Sequence, residues 1–126
     1  MSLTAYADAR STLVTQLTTD LTAAGWSIYG SPPDAFDAPA VLIAAQEADR
    51  INVALWRRDL VVGLFVRRDS VDASYDLIDA TIPALVTSLE SVDGVTIGTV
   101  SRPEPVTWTD VPYMACFVPV TMETTP

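Results

Sequence analysis

Asp72, Asp76 and Asp79 follow one another at spacings of four and three, which on a helix sets their carboxylates along one strip. Hard divalent cations prefer such clusters of oxygen ligands. Acids near a helix N-terminus are also favoured by the helix dipole and normally face water, and a solvated strip is the reading expected here. Asp34 and Asp37 form the second acidic pair, and two carboxylates in unlike surroundings can divide the work of general acid and base. They stand in and just after Ser31-Pro32-Pro33-Asp34, however, where Asp commonly forms turns through its side-chain acceptor. The chain contains no His, so no Ser–His or Cys–His pair can activate a nucleophile. Cys116 is the single cysteine; it excludes an intramolecular disulfide and a thiolate zinc site, and its apolar neighbours point to a small core residue. No phosphate-cradling loop occurs among the five glycines, and no EF-hand spacing is present. No residue is therefore assigned to catalysis, to a metal or to a cofactor, and the protein is not expected to be an enzyme.

The basic residues are more informative. Arg57, Arg58, Arg67 and Arg68 are four of the seven cations, all Arg, and they bracket one apolar run with Trp56 beside the first pair. Arginine forks bind carboxylates at two points and are enriched at interfaces. Charges at strand ends also discourage unwanted strand pairing. Both readings apply to these five residues, which are the candidate subunit or partner interface. Trp108 is either an interface anchor or an aromatic at the core rim. With sixteen acids against seven Arg the formal net charge is −9, which argues against gripping nucleic acid, although an acidic wall would let DNA slide past.

The elements that must carry these residues follow from periodicity. Leu3, Tyr6, Ala7, Val14, Leu17, Leu21 and Ala24 recur at helical spacing, so residues 3–24 read as an amphipathic helix capped by Ser2 and ended by Gly25. A short strand at 27–29 leads into a Pro-rich surface loop, and 40–46 reads as a buried strand that charge interrupts at 46–50. Ile51, Val53 and Leu55 alternate with Asn52, Ala54 and Trp56, Arg57-Arg58-Asp59 reads as a turn, and 60–66 returns, giving a hairpin over 51–67. A second helix starts at Asp69 or Ser70 with Val71, Tyr75, Ile78, Ile82, Leu85, Val86 and Leu89 on its apolar face. Pro83 is expected to kink or divide it, and Asp93-Gly94 to close it. Strands follow at 95–100, 106–108 and 113–122, and Pro119 predicts an edge position or a bulge for the last.

At 126 residues this is expected to be a single α+β domain, a mainly antiparallel sheet with both helices on one face. The apolar runs at 39–45 and 60–66 are too short to span a bilayer, and the first turns carry charge where a signal peptide would be apolar, so a soluble protein made in the cytoplasm is expected, without membrane contact. The strands at 60–66 and 113–122 are apolar on both faces while two helices cover only one. A neighbouring subunit is the simplest cover, which predicts oligomerisation.

The opening helix with Met1-Ser2-Leu3, the loop Tyr29-Gly30-Ser31-Pro32-Pro33 followed by Ala38-Pro39-Ala40-Val41, the strands over 51–67, the helix over 75–89 and the strands over 108–122 together resemble the tail terminator family of long-tailed phages, especially those of actinobacterial hosts. The resemblance lies in element order along nearly the whole chain and involves no diagnostic motif. It implies a structural virion protein forming a homo-oligomeric ring of six at the head-proximal end of the tail. That ring would end tail-tube growth and join tail to head, with tail-tube and head-completion or neck proteins as partners and DNA passing through its lumen. A related neck or tail-completion (head–tail connector) subunit is the nearest alternative. A small ligand-binding α+β domain, whose second apolar face lines a pocket, is a more distant one.

Overall fold

The computed structural model describes residues 5–50, 56–68, 71–92 and 94–124, with side chains throughout except at 5–9, 45–50, 56–58, 71–72 and 123–124. In chain order it contains α1 (Ala5–Leu21), β1 (Ser27–Tyr29), β2 (Ala40–Arg50), β3 (Trp56–Arg67), α2 (Val71–Glu90), β4 (Val95–Ile97), β5 (Glu104–Trp108) and β6 (Val111–Thr124). The strands form one six-stranded sheet in the order β1-β2-β3-β6-β4, and β5 also pairs with β6. Only β1 and β2 run parallel; the remaining pairs are antiparallel. The expected α+β architecture is the one observed.

Both helices lie on one face of the sheet, because their apolar residues recur once per turn. Leu13, Leu17 and Leu21 of α1 are buried, as are Ile78, Leu85 and Leu89 of α2. They pack on the face made by Val41, Ile43, Leu60, Val62, Leu64, Val66 and the alternate residues Met114 to Met122 of β6. A 3-10 turn at Thr22–Ala24 follows α1, and Gly25 at φ 93° donates its N–H to the Thr22 carbonyl, so the expected stop stands where the left-handed backbone requires it. The expected capping residues Ser2, Asp69 and Ser70 lie outside the described residues, as do Leu3 and Asp93.

The buried stripe of α2 includes Ser74, Thr81 and Ser88 as well as the aliphatic residues. Each hydroxyl has an acceptor: Ser74 donates to the Arg67 carbonyl at 2.9 Å, Thr81 to the Leu77 carbonyl at 2.8 Å, and Ser88 to Asp20 Oδ2 at 2.6 Å. Because these polar positions hold the centre of the stripe, Tyr75, expected on the apolar face, is exposed. Pro83 does not divide the helix, which continues from Val71 to Glu90. Pro83 is on the exposed side, where water can reach the carbonyl its missing N–H leaves free.

The strand pairing corrects the expected hairpin. Strand β2 does not stop at its charged residues; it runs to Arg50 and pairs with β3 from Ala40↔Phe65 to Arg50↔Trp56, with a register shift between Ala45 and Glu47. Arg57, Arg58 and Asp59 are consequently strand residues and not a turn, and Ile51, Val53 and Leu55 lie outside the described residues. Strand β6 is interior, flanked by β3 on one side and by β4 and β5 on the other. Pro119 is tolerated there because the neighbouring edge is interrupted between Ile97 and Glu104. Gly98 N–H donates to the Pro119 carbonyl at 2.8 Å, so the proline backbone faces that gap, and its missing donor breaks no bond to β3.

The second face of the sheet is covered in part by the chain itself. Phe36, from the loop between β1 and β2, is buried against Phe65 with centroids 4.3 Å apart and planes 17° from parallel, and it meets Tyr113 edge-on at 5.6 Å. Ala40, Leu42 and Ala115 complete this smaller core. Trp108 donates its indole N–H to the Pro33 carbonyl at 3.0 Å, and Thr109 Oγ1 donates to the Asp34 carbonyl at 2.7 Å, which fastens the loop to the β5–β6 turn. The chain thus supplies part of the cover that a neighbouring subunit was expected to give, and leaves Val61 and Phe117 half-buried and Pro119 exposed on the rest of this face.

Candidate interaction surface

Strand β3 carries the candidate arginines but does not bring them together. Ten residues of extended chain separate Arg57 from Arg67, on the order of 33 Å. At one end, Arg57 stands in register between Asp49 of β2 and Glu123 of β6, and Arg58 between Ala48 and Met122. Protection of an edge strand does not apply to either residue, since β3 has a partner on each side. Trp56 pairs with Arg50 and Thr124 in the same register; the side chains of Trp56, Arg57 and Arg58 lie outside the described residues.

At the other end Arg67 and Arg68 are exposed. Arg67 helps to line a pocket of about 270 Å³ between the end of β3, the first turns of α2 and the Ala38–Pro39 corner; Pro39, Val66, Ala73 and Leu77 supply its apolar wall. The peptide bond at Ala38–Pro39 is cis. Leu77 is 40% exposed and Tyr75 37%, and they are the exposed large hydrophobic residues among those described. An apolar wall with a guanidinium on its rim suits an apolar group flanked by a carboxylate. Sequence reasoning identified Arg67 but missed the pocket, because Pro39, Val66 and Leu77 meet only in the folded chain.

The acidic candidates remain apart from any such site. Asp76 and Asp79 are exposed on the outer side of α2, and the side chain of Asp72 lies outside the described residues. Asp34 and Asp37 are exposed and serve the loop through their backbones: the Asp34 carbonyl accepts from Thr109, and the Asp37 N–H donates to the Tyr29 hydroxyl at 3.0 Å. Among the described residues no cluster of three His, Cys, Asp or Glu is placed to hold a metal ion. Cys116 is fully buried, its thiol lies 3.0 Å from the Ser101 carbonyl, and burial pushes its pKa up, so it belongs to the core as expected. Trp108 is half-buried beside Phe36 and Phe65, at the rim of the smaller core.

One acid has a defined structural partner that the sequence did not reveal. Asp20 Oδ2 accepts from Ser88 and, at 2.7 Å, from Gln16, joining the two helices. These hydrogen bonds, Ser88 foremost, hold the Asp20 carboxyl below its ordinary pKa. No protein-family model matches the chain, and no curated protein matches it significantly.

Proposed function

We propose that this protein is a structural subunit of a long-tailed phage, acting as a tail terminator: a homo-oligomeric ring at the head-proximal end of the tail that ends tube growth and receives the head. The observation that carries the reading is the outer edge of β2. Strand β1 pairs with residues 40–42 only, three of the eleven in β2, so over residues 43–50 no described strand lies on that side. Backbone donors and acceptors along an open edge favour the addition of another chain. The half-covered second face and the apolar pocket beside Arg67 add two further surfaces of the kind a subunit presents to its neighbours. The net charge of −9 suits a lumen through which DNA slides without being held.

The test is to locate the protein in its particle, by labelling intact virions and isolated tails with an antibody and imaging both by electron microscopy. Label at the head–tail junction that stays on the proximal end of free tails is expected. Label that leaves with the heads would favour a head-side neck subunit instead, and absence from the particle would remove the structural-subunit reading.

A further inference from the structure

Between β1 and β2 the chain crosses the second face of the sheet as a strap, residues 30–39. Its two ends are fixed. Tyr29 and Ala40 are paired within the sheet, and Gly30 lies so close to α1 that a Cβ there would stand 3.1 Å from Val14 Cγ2. Among the described residues, 31–38 make no backbone-to-backbone hydrogen bond. Side chains hold the strap instead, and Phe36 is its only buried residue. The Trp108 indole and the hydroxyls of Thr109 and Tyr113 donate to the carbonyls of Pro33, Asp34 and Phe36, and the Tyr29 hydroxyl accepts from the Asp37 N–H.

Three of these four bonds come from the segment that begins at the β5–β6 turn, and that turn breaks a local rule. Thr109 at φ 46° and Asp110 at φ 66° are both left-handed. A two-residue hairpin loop demands this backbone, but Asn and Gly are the residues that supply it readily. A β-branched residue there is disfavoured. What Thr109 offers in return is its hydroxyl, 2.7 Å from the Asp34 carbonyl and 2.8 Å from that of Trp108. Glycine would relax the turn and lose that tie.

We propose that the strap is a cover that opens as one unit while the sheet stays folded, and that Thr109 is its latch, kept in a strained turn for the bond it makes to the strap. No ladder bond crosses the strap, so release withdraws one ring and four side-chain hydrogen bonds and leaves every strand pairing intact, far less than global unfolding disrupts. Burial of Phe36 holds the open form to on the order of one molecule in a thousand. Opening bares Leu42, Phe65 and Tyr113 and joins them to Phe117, whose ring meets Phe65 edge-on at 5.9 Å, in one continuous apolar face. The cover thus sets how much of that face the molecule shows.

Hydrogen exchange followed by NMR on the native full chain tests this. The Trp108 indole N–H and the Asp37 N–H report on the strap; the amides of Val62 and Val118, paired at the centre of the sheet, report on the fold. The two strap protons are expected to share one protection factor that low denaturant leaves unchanged, and the sheet amides to exchange at least about tenfold more slowly. Thr109→Gly should speed exchange of both strap protons about fivefold, the worth of one hydrogen bond, while Val62 and Val118 stay as they were or slow down as the turn relaxes. Thr109→Ser, which keeps the hydroxyl, should hold the strap protons near the wild-type rate. Strap protons that differ widely from each other, or that exchange only when the sheet amides do, overturn the separate opening. A Thr109→Gly variant that leaves the strap protons unchanged, or speeds all four alike, overturns the latch.

Discussion

Replacing Phe36 with Ala tests whether the loop between β1 and β2 seals half of the sheet or only lies across it. The ring is 4% exposed and contacts four others: Phe65 at 4.3 Å, Trp108 at 4.9 Å, Tyr29 at 5.5 Å and Tyr113 at 5.6 Å between centroids. Truncating a buried Phe costs about 3–5 kcal/mol from lost transfer and the cavity left behind. Aromatic pairs of this geometry add about 0.5–1.5 kcal/mol beyond area burial, which places the loss toward the upper part of that range. A domain of this size holds about 5–15 kcal/mol in all, so a large share of the stability is at stake, and the melting temperature should fall by roughly 10–20 °C. The assay is denaturant unfolding together with hydrogen exchange at the Trp108 indole, whose N–H is held by the Pro33 carbonyl. That proton should exchange faster in the variant, because losing the anchor frees the loop. A loss below about 1 kcal/mol with unchanged indole protection would refute the reasoning, since a side chain that seals a core cannot be removed at so small a cost.

Gly63→Ala should destabilise by about 1–3 kcal/mol in the same unfolding assay, because an added Cβ would come within 2.9 Å of Phe65 Cε2 and 3.2 Å of Phe117 Cε1. For Asp20, a folded-state pKa below the unfolded value means a contribution to stability that is present above the unfolded pKa and is lost as pH falls through the folded one. Ser88→Ala should therefore raise the Asp20 pKa in an NMR titration and flatten the acid limb of the stability profile. Cys116 should resist a thiol reagent at mildly alkaline pH in the native protein and react once the chain is unfolded, since it is buried and its pKa is raised. Arg57→Glu sets a third acid in register between Asp49 and Glu123 and should cost on the order of 1 kcal/mol, with the loss shrinking as salt is added.

The parts of the fold that sequence made legible are those where local periodicity and stop signals act on their own. The helix ending at Gly25, the buried alternation of Met114 to Met122 and the interior thiol of Cys116 all follow from spacing and residue type. What stayed hidden depends on partners distant in the chain. Charge at residues 46–50 looks like a strand break until register sets Asp49 opposite Arg57. Phe36 looks like a loop residue until Phe65 and Tyr113 come beneath it, and Pro119 implies an edge until the gap between β4 and β5 is seen to face it. Of the candidate interface, Arg67 and Arg68 were legible as a basic pair, but the pocket beside them was not.

The two edges of the sheet differ in what they offer another chain. The β4/β5 edge is broken between Ile97 and Glu104 and carries Pro103 and Pro105, neither of which has a backbone donor. The β2 edge has no proline over residues 43–50, although the register shift near Ala45 and the charged residues beyond it disfavour indiscriminate pairing. A molecule with one blocked and one open edge cannot extend its sheet from copy to copy without end, because the blocked side offers no ladder to the next open one. Under the subunit reading proposed above, copies would therefore join through side-chain surfaces or through a single added strand.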